Sequence, residues 1–276
     1  MMSQTLDREE HVEQAHFFRT LAERSGDGIP LQELLENVKH EILVTTKLPL
    51  AIEYMASELR LTGCVSPAMS KLGHYFTAFQ TFLMQQAESD KGRFDFRTAI
   101  QILQKEAEFR SSGGFSPQGL FLYRFEVLCR NRLSYDQGLA ATANDPAFDE
   151  RWQCWIGIVR RQIGIVELAD MVFVRSEFYG KKTRKSLPAD DSLGILFGER
   201  EGRIAWANRR RDPLLLFGSL QRHLGYPPAP RPDPPDSLPE LLPQLARRVE
   251  RMEQRMKLLE EEQKGGIDIT KFYRPS

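Results

Sequence analysis

Leu31-Gln-Glu-Leu34-Leu35-Glu-Asn-Val38-Lys-His-Glu-Ile42 places its apolar residues at steps of three, one, three and four, which line one face of a 3.6-residue period. Tyr75, Phe76, Phe79 and Leu83 repeat the pattern further on, and helical spacing of this kind extends from residue 11 to about residue 110. Glycine, proline and aspartate punctuate it at 26–30, 63–67 and 90–92, where turns are expected. The reading is a mainly α fold that opens with an antiparallel helical bundle over residues 1–110. Its predicted interior holds Leu21, Ile29, Leu31, Leu35, Phe76, Phe79, Leu83, Ile100 and Leu103.

Outward from that stretch, residues 111–117 contain Gly113, Gly114 and Pro117, a composition that ends a helix and is expected to close the first domain. A second helical region is predicted over 118–225, broken at 144–146. It includes a small β-hairpin near 193–207, read from the alternation of Leu193, Ile195 and Phe197 and then of Ile204 and Trp206. Eight of the sixteen prolines lie between Pro227 and Pro243, so 226–243 is expected to be a linker of polyproline character.

The segment 244–264 reads as an amphipathic helix of coiled-coil type, followed by a tail at 265–276. Leu238, Leu242, Leu245, Val249, Met252, Met256 and Leu259 are spaced 4, 3, 4, 3, 4 and 3 residues apart, a heptad seam. Ser237 and Glu240 form a capping-box pattern at its start. With Val249 at position a, Arg248 and Arg255 occupy g while Glu253 and Glu260 occupy e. A parallel pair then opposes each arginine with a glutamate of the partner helix. Self-association as a dimer through Leu242, Leu245, Val249, Met252, Met256 and Leu259 is the expectation; the competing one is a helix docked on its own chain.

Composition narrows the function. With 41% hydrophobic and 28% charged residues the chain is a folded one, and 38 basic against 38 acidic groups leave no global field to recruit a polyanion or a membrane surface. The longest apolar run, residues 154–174, is interrupted by Arg160, Arg161, Glu167 and Asp170 and is no membrane span. Residues 1–10 are polar and acidic, without a secretory or transit pattern, so the expected location is cytoplasmic. Cys64, Cys129 and Cys154 are too sparse for a disulfide framework or a zinc site and read as buried hydrophobes.

Catalytic patterns are thin. The segment around Ser116 fails GxSxG, no phosphate-binding glycine loop is present, and Glu13 with His16 forms only half of a helical di-metal pattern. No catalytic, cofactor-binding or metal-ligating residue is predicted, and the chain is expected not to be an enzyme. Lys181, Lys182, Arg184 and Lys185, with Arg209, Arg210 and Arg211, stand beside Phe173, Phe178, Tyr179 and Trp206. That mixture of cations and rings is the possible anion contact of a second reading, a protein that binds nucleic acid or another polyanion.

His16-Phe17-Phe18-Arg19-Thr20-Leu21-Ala22, followed by Gly28, Ile29, Pro30 and Leu31, resembles the opening of the type II secretion system F domain, the cytoplasmic helical domain of platform proteins in type II secretion and type IV pilus assembly. Leu59-Arg-Leu-Thr-Gly63-Cys-Val-Ser66-Pro-Ala-Met69 and Ala87-Glu88, with Gly92 and Phe94, are similar to its later segments, so the resemblance covers about residues 14–110. It implies a protein-interaction domain in which Gly28, Pro30, Gly63, Glu88 and Gly92 shape turns, with Glu88 expected to accept from amides around Gly92. The family follows this domain with transmembrane helices and 111–276 holds none, so the resemblance implies a soluble relative. The combined expectation is a cytoplasmic, non-enzymatic assembly adaptor. Its expected partners are a second copy of itself and secretion or pilus assembly proteins; nucleic acid is not an expected partner.

Overall fold

The computed structural model describes residues 6–26, 28–89, 94–183, 193–231 and 246–257. These form α1 (Arg8–Arg24), α2 (Leu31–Lys39), α3 (Leu48–Thr62), α4 (Ser66–Lys71), α5 (Ala78–Glu88), α6 (Phe96–Ser111) and α7 (Pro117–Arg130). They continue as α8 (Tyr135–Ala143), α9 (Glu150–Gln162), α10 (Leu168–Val174), α11 (Glu177–Thr183), α12 (Glu199–Ala207), α13 (Pro213–Leu224) and α14 (246–257). The fold is mainly α, a helical bundle; among the described residues only two isolated bridges are β-like. No helix among them is long and apolar enough to cross a membrane.

Polar side chains start many of these helices by satisfying amides that have no partner within the helix. Thr77 and Gln80 bond each other's backbone reciprocally in a capping box on α5, while Asp95, Ser116, Ser134 and Asp149 cap α6, α7, α8 and α9. The Ser116 of the failed nucleophile pattern therefore has a structural role. Gly63 ends α3 at φ 71°, a left-handed conformation that costs other residues free energy.

One continuous hydrophobic core contains Leu21, Leu35, Phe76, Phe79, Leu83, Ile100 and Leu103, with Ile29 and Leu31 packed against its edge. The turn at 111–117 joins α6 to α7 without dividing this core. Tyr123 on α7 donates its hydroxyl to the Ile102 carbonyl on α6, and Phe121, Trp152, Trp155 and Phe197 extend the interior through edge-on ring contacts. The start of the proline-rich segment is packed too: Tyr226 and Ala229 are buried and Asn131 donates to the Pro230 carbonyl. Cys64 and Cys129 are partly buried, whereas Cys154, expected inside, is exposed.

The hairpin expected near 193–207 is absent. Residues 199–207 are α12, whose buried residues are Glu201, Gly202 and Ala205. Ser176 and Phe178 press so closely on Gly202 that any Cβ there would overlap the Ser176 Oγ. Phe197 instead makes an isolated parallel bridge with Ser176, its amide bonded to the Arg175 carbonyl and its carbonyl to the Glu177 amide. The alternation of Ile204 and Trp206 misled because a helix accommodates both: Trp206 packs on the Phe173 ring, while small Gly202 and Ala205, which a hydrophobic pattern does not register, are buried in the face.

Candidate functional site

Leu120-Phe-Leu-Tyr-Arg124-Phe-Glu-Val-Leu128 is apolar on nearly every side, so α7 is buried all round and carries Arg124 into the core with it. A buried guanidinium needs carboxylates. Arg124 bonds Glu106 through Nε and Nη2 at 3.0 and 2.7 Å, and Asp145 through Nη2 at 2.6 Å. Arg110 bonds the same two carboxylates, which closes a network of two cations and two anions. Arg124 Nη2 also reaches Thr77 Oγ1, and the guanidinium carbon lies 4.5 Å from the centroid of the Phe79 ring. Both arginines hold the Asp145 carboxyl well below the usual range and lower Glu106 despite its burial, and the two carboxylates in turn raise Arg124 against the effect of its own burial.

In front of this network, at the N-terminal end of α1, lies an open cleft of about 780 Å³. Its walls come from α1, the turn before α5, the end of α6 and the region from α8 to residue 147. The charged or titratable side chains on them are Arg8, His11, His74, Tyr75 and Arg110, with no carboxylate among the lining residues. Behind α1, Glu10 accepts from the Lys47 amide and the Tyr75 hydroxyl, and Glu13 accepts from the Leu43 amide. Burial, with Glu10 alongside, raises the Tyr75 phenol. Burial, reinforced by Arg110, pulls the His11 imidazole down to about 4, so His11 is neutral at pH 7.

Two polar groups on the cleft wall lack partners. Gln14 is fully buried; its Oε1 accepts from Gln80 Nε2 at 3.3 Å and its Nε2 bonds nothing, as does His11 Nδ1. Backbone chemistry fixes this orientation: the Thr77 amide can only donate, so Gln80 must offer it Oε1, as it does at 2.9 Å. Gln80 Nε2 is then the donor to Gln14, and the Gln14 amide nitrogen is left over. It lies beside His11 and Tyr75, near enough to pull weakly on both, raising the imidazole and lowering the phenol, but it makes no full hydrogen bond.

At the other end of α1, α14 is held by two arginines one turn apart. Arg247 donates to the carbonyl of Ser25, the C-cap of α1, and lies 4.7 Å from the Phe96 ring centroid. Arg251 donates to the carbonyl of Glu88, the last residue of α5. Each meets the negative end of a helix, where a cation is favoured. Gly92 and the amides around it, the partners expected for the Glu88 side chain, lie outside the described residues. The two Glu88 carboxylate oxygens accept from the amides of Val65 and Ser66 at 2.6 and 2.9 Å and so hold the start of α4. Burial still raises its pKa. A Cβ on Gly63 would stand 3.3 Å from Gln254 Oε1, so the turn is small where α14 crosses it.

The other sites expected from sequence divide. Gly28 has φ 75° and Pro30 precedes α2. Val249, Met252 and Met256 are 53, 60 and 59% exposed on α14, whereas Leu242, Leu245, Leu259, Ser237 and Glu240 lie outside the described residues. Lys181 pairs with Glu199, and Lys182 lies 5.5 Å over the Trp206 ring. Arg209 stacks 3.3 Å from the Trp206 centroid and pairs with Asp170, and the Arg210 amide donates to Glu167. Arg211 donates its amide to the Asn208 carbonyl, and Arg184 and Lys185 lie outside the described residues.

The buried network was missed in sequence, although an arginine and a glutamate inside an apolar helix signal one. Thr77-Ala-Phe-Gln80 also carries an unread capping-box signature. Compared with known proteins, the chain has no match among family models, curated proteins or solved structures.

Proposed function

We propose that this chain is a non-enzymatic assembly adaptor that pairs with a second copy of itself through α14. The observation that carries the reading is the division of that helix into two faces. At about 100° per residue, Arg247, Arg251 and Gln254 cluster on one side, and Val249, Met252 and Met256 cluster roughly opposite. The first set engages the chain's own helix ends, which leaves the second exposed. Docking on the chain and pairing between chains therefore do not compete for the same surface. Two methionines give the seam an adaptable contact, and the arginine and glutamate pattern at g and e favours parallel pairing. The resemblance of residues 14–110 to the secretion platform domain supports an assembly of that kind as the setting.

Sedimentation of the full chain tests the reading. The wild type should sediment as a dimer at tens of micromolar, and the double variant Val249→Asp, Met252→Asp should be a monomer with an unchanged circular dichroism spectrum. A monomeric wild type removes the proposal.

A further inference from the structure

We propose that the cleft at the N-terminal end of α1 binds a small organic anion: a carboxylate or phosphate monoester carried on a planar body with hydrogen-bond acceptors at its edge. Four observations converge on this class. The volume, about 780 Å³, lies within the range of small-molecule sites, about 300 to 1,000 Å³. The absence of carboxylates among the lining residues removes the usual barrier to an anion. Arg8 spends only Nε on the Ser111 carbonyl, and its terminal nitrogens have no hydrogen bond among the described residues. Its charge is therefore available at the rim, whereas that of Arg110 is matched by Glu106 and Asp145.

The fourth observation is the orphaned amide of Gln14. A buried donor without an acceptor is costly, and the hydrogen-bond chain from Thr77 to Gln80 to Gln14 leaves this one no alternative orientation. Such a group is satisfied by an acceptor that enters the cleft, and the neighbouring His11 Nδ1 offers that ligand a second polar contact. The apolar part of the wall, including Ala140, Ala141, Ala147 and the Phe115 ring stacked 5.8 Å from the Arg110 guanidinium, suits a flat body. Arg8 then supplies the counter-charge, Gln14 reads the edge, and the rings and alanines bury the face.

Calorimetry on the full chain with four probes tests the assignment: adenosine monophosphate, 1-naphthoate, adenosine and inorganic phosphate. At least one of the first two, which join an anion to a planar body, should bind with a dissociation constant below about 1 mM. Adenosine, which lacks the charge, and phosphate, which lacks the body, should bind at least about tenfold more weakly than that probe. Arg8→Gln, at an exposed position, should weaken the bound probe about fivefold or more, and Gln14→Leu about tenfold or more. Gln14 is buried, so its variant is read only with a wild-type melting transition; Arg8→Gln keeps the test decisive otherwise. The proposal is overturned if neither anionic aromatic probe binds, if adenosine binds as tightly as adenosine monophosphate and 1-naphthoate does not bind, or if Arg8→Gln leaves affinity unchanged.

Discussion

The two ends of α1 are finished in opposite ways. At its C-terminal end the Ser25 carbonyl receives Arg247 from α14, Glu88 caps α4, and little space remains. At its N-terminal end the helix opens onto a wide cleft with Gln14 Nε2 and His11 Nδ1 unsatisfied, although a network of two cations and two anions, in which only Arg124 Nη1 lacks a partner, stands directly behind it. The contrast separates groups that hold the fold from groups the fold leaves available. Charges at the network are matched by one another, with only Arg110 reaching the cleft wall, while Gln14 Nε2 and His11 Nδ1 on that wall have no full hydrogen bond.

The sharpest way to break that comparison is to damage the network. Arg124→Met leaves Glu106 and Asp145 buried with only Arg110, and it should cost about 3 to 5 kcal/mol, read from urea denaturation. A loss under 1 kcal/mol would show that the network is not structural and that the cleft has no rigid floor.

Acid should separate the two ends. His11 has a folded pKa of about 4 against 6.5 when unfolded, so between those values the unfolded chain binds more protons. Stability held above pH 6.5 is then lost as pH falls toward 4, by up to about 3 kcal/mol for this one group. Glu106 and Asp145, both lowered, add further loss at pH below their unfolded values of 4.5 and 3.8. Glu88 at the closed end is raised above 4.5 by burial, so acidification there relieves a cost. Hydrogen exchange at pH 5 against pH 7 should show α1 amides near His11 losing protection while α4 amides beside Glu88 do not.

Arg251→Ala should loosen α14 with a smaller effect, about 1 to 2 kcal/mol, since it removes one charge-assisted bond to a helix end. Faster tryptic cleavage within 246–257, with α1 to α13 intact, is the expected result. Smallest of all, Arg8→Gln should alter the melting free energy by under about 0.5 kcal/mol, because its one contact is exposed. A larger loss would move Arg8 from the available group to the structural one.

How much of this was visible in the residues follows from distance along the chain. The helices, the Gly63 turn and the face carrying Val249, Met252 and Met256 depend on neighbours within two turns, and periodicity reads such neighbours directly. The face of α12 does too, but it buries Gly202 and Ala205, whose small size is a packing signal that escapes a hydrophobic pattern. Arg124 is a charge in an apolar helix that the reading of the residues passed over, and its partners Glu106 and Asp145 lie on other elements. The cleft was invisible for a stronger reason. Gln14 matters only because Gln80 is committed to Thr77, 63 positions away from it, and no local pattern carries that logic.

The bond from Arg247 to Ser25 joins positions 222 residues apart. At about 5 to 20 residues per second, a ribosome makes Ser25 roughly 11 to 44 s before it makes Arg247. During that interval the carbonyl at the end of α1 faces water or whatever binds there first. The newborn chain thus presents a surface that the finished one covers, and synthesis itself sets how long that surface is on offer.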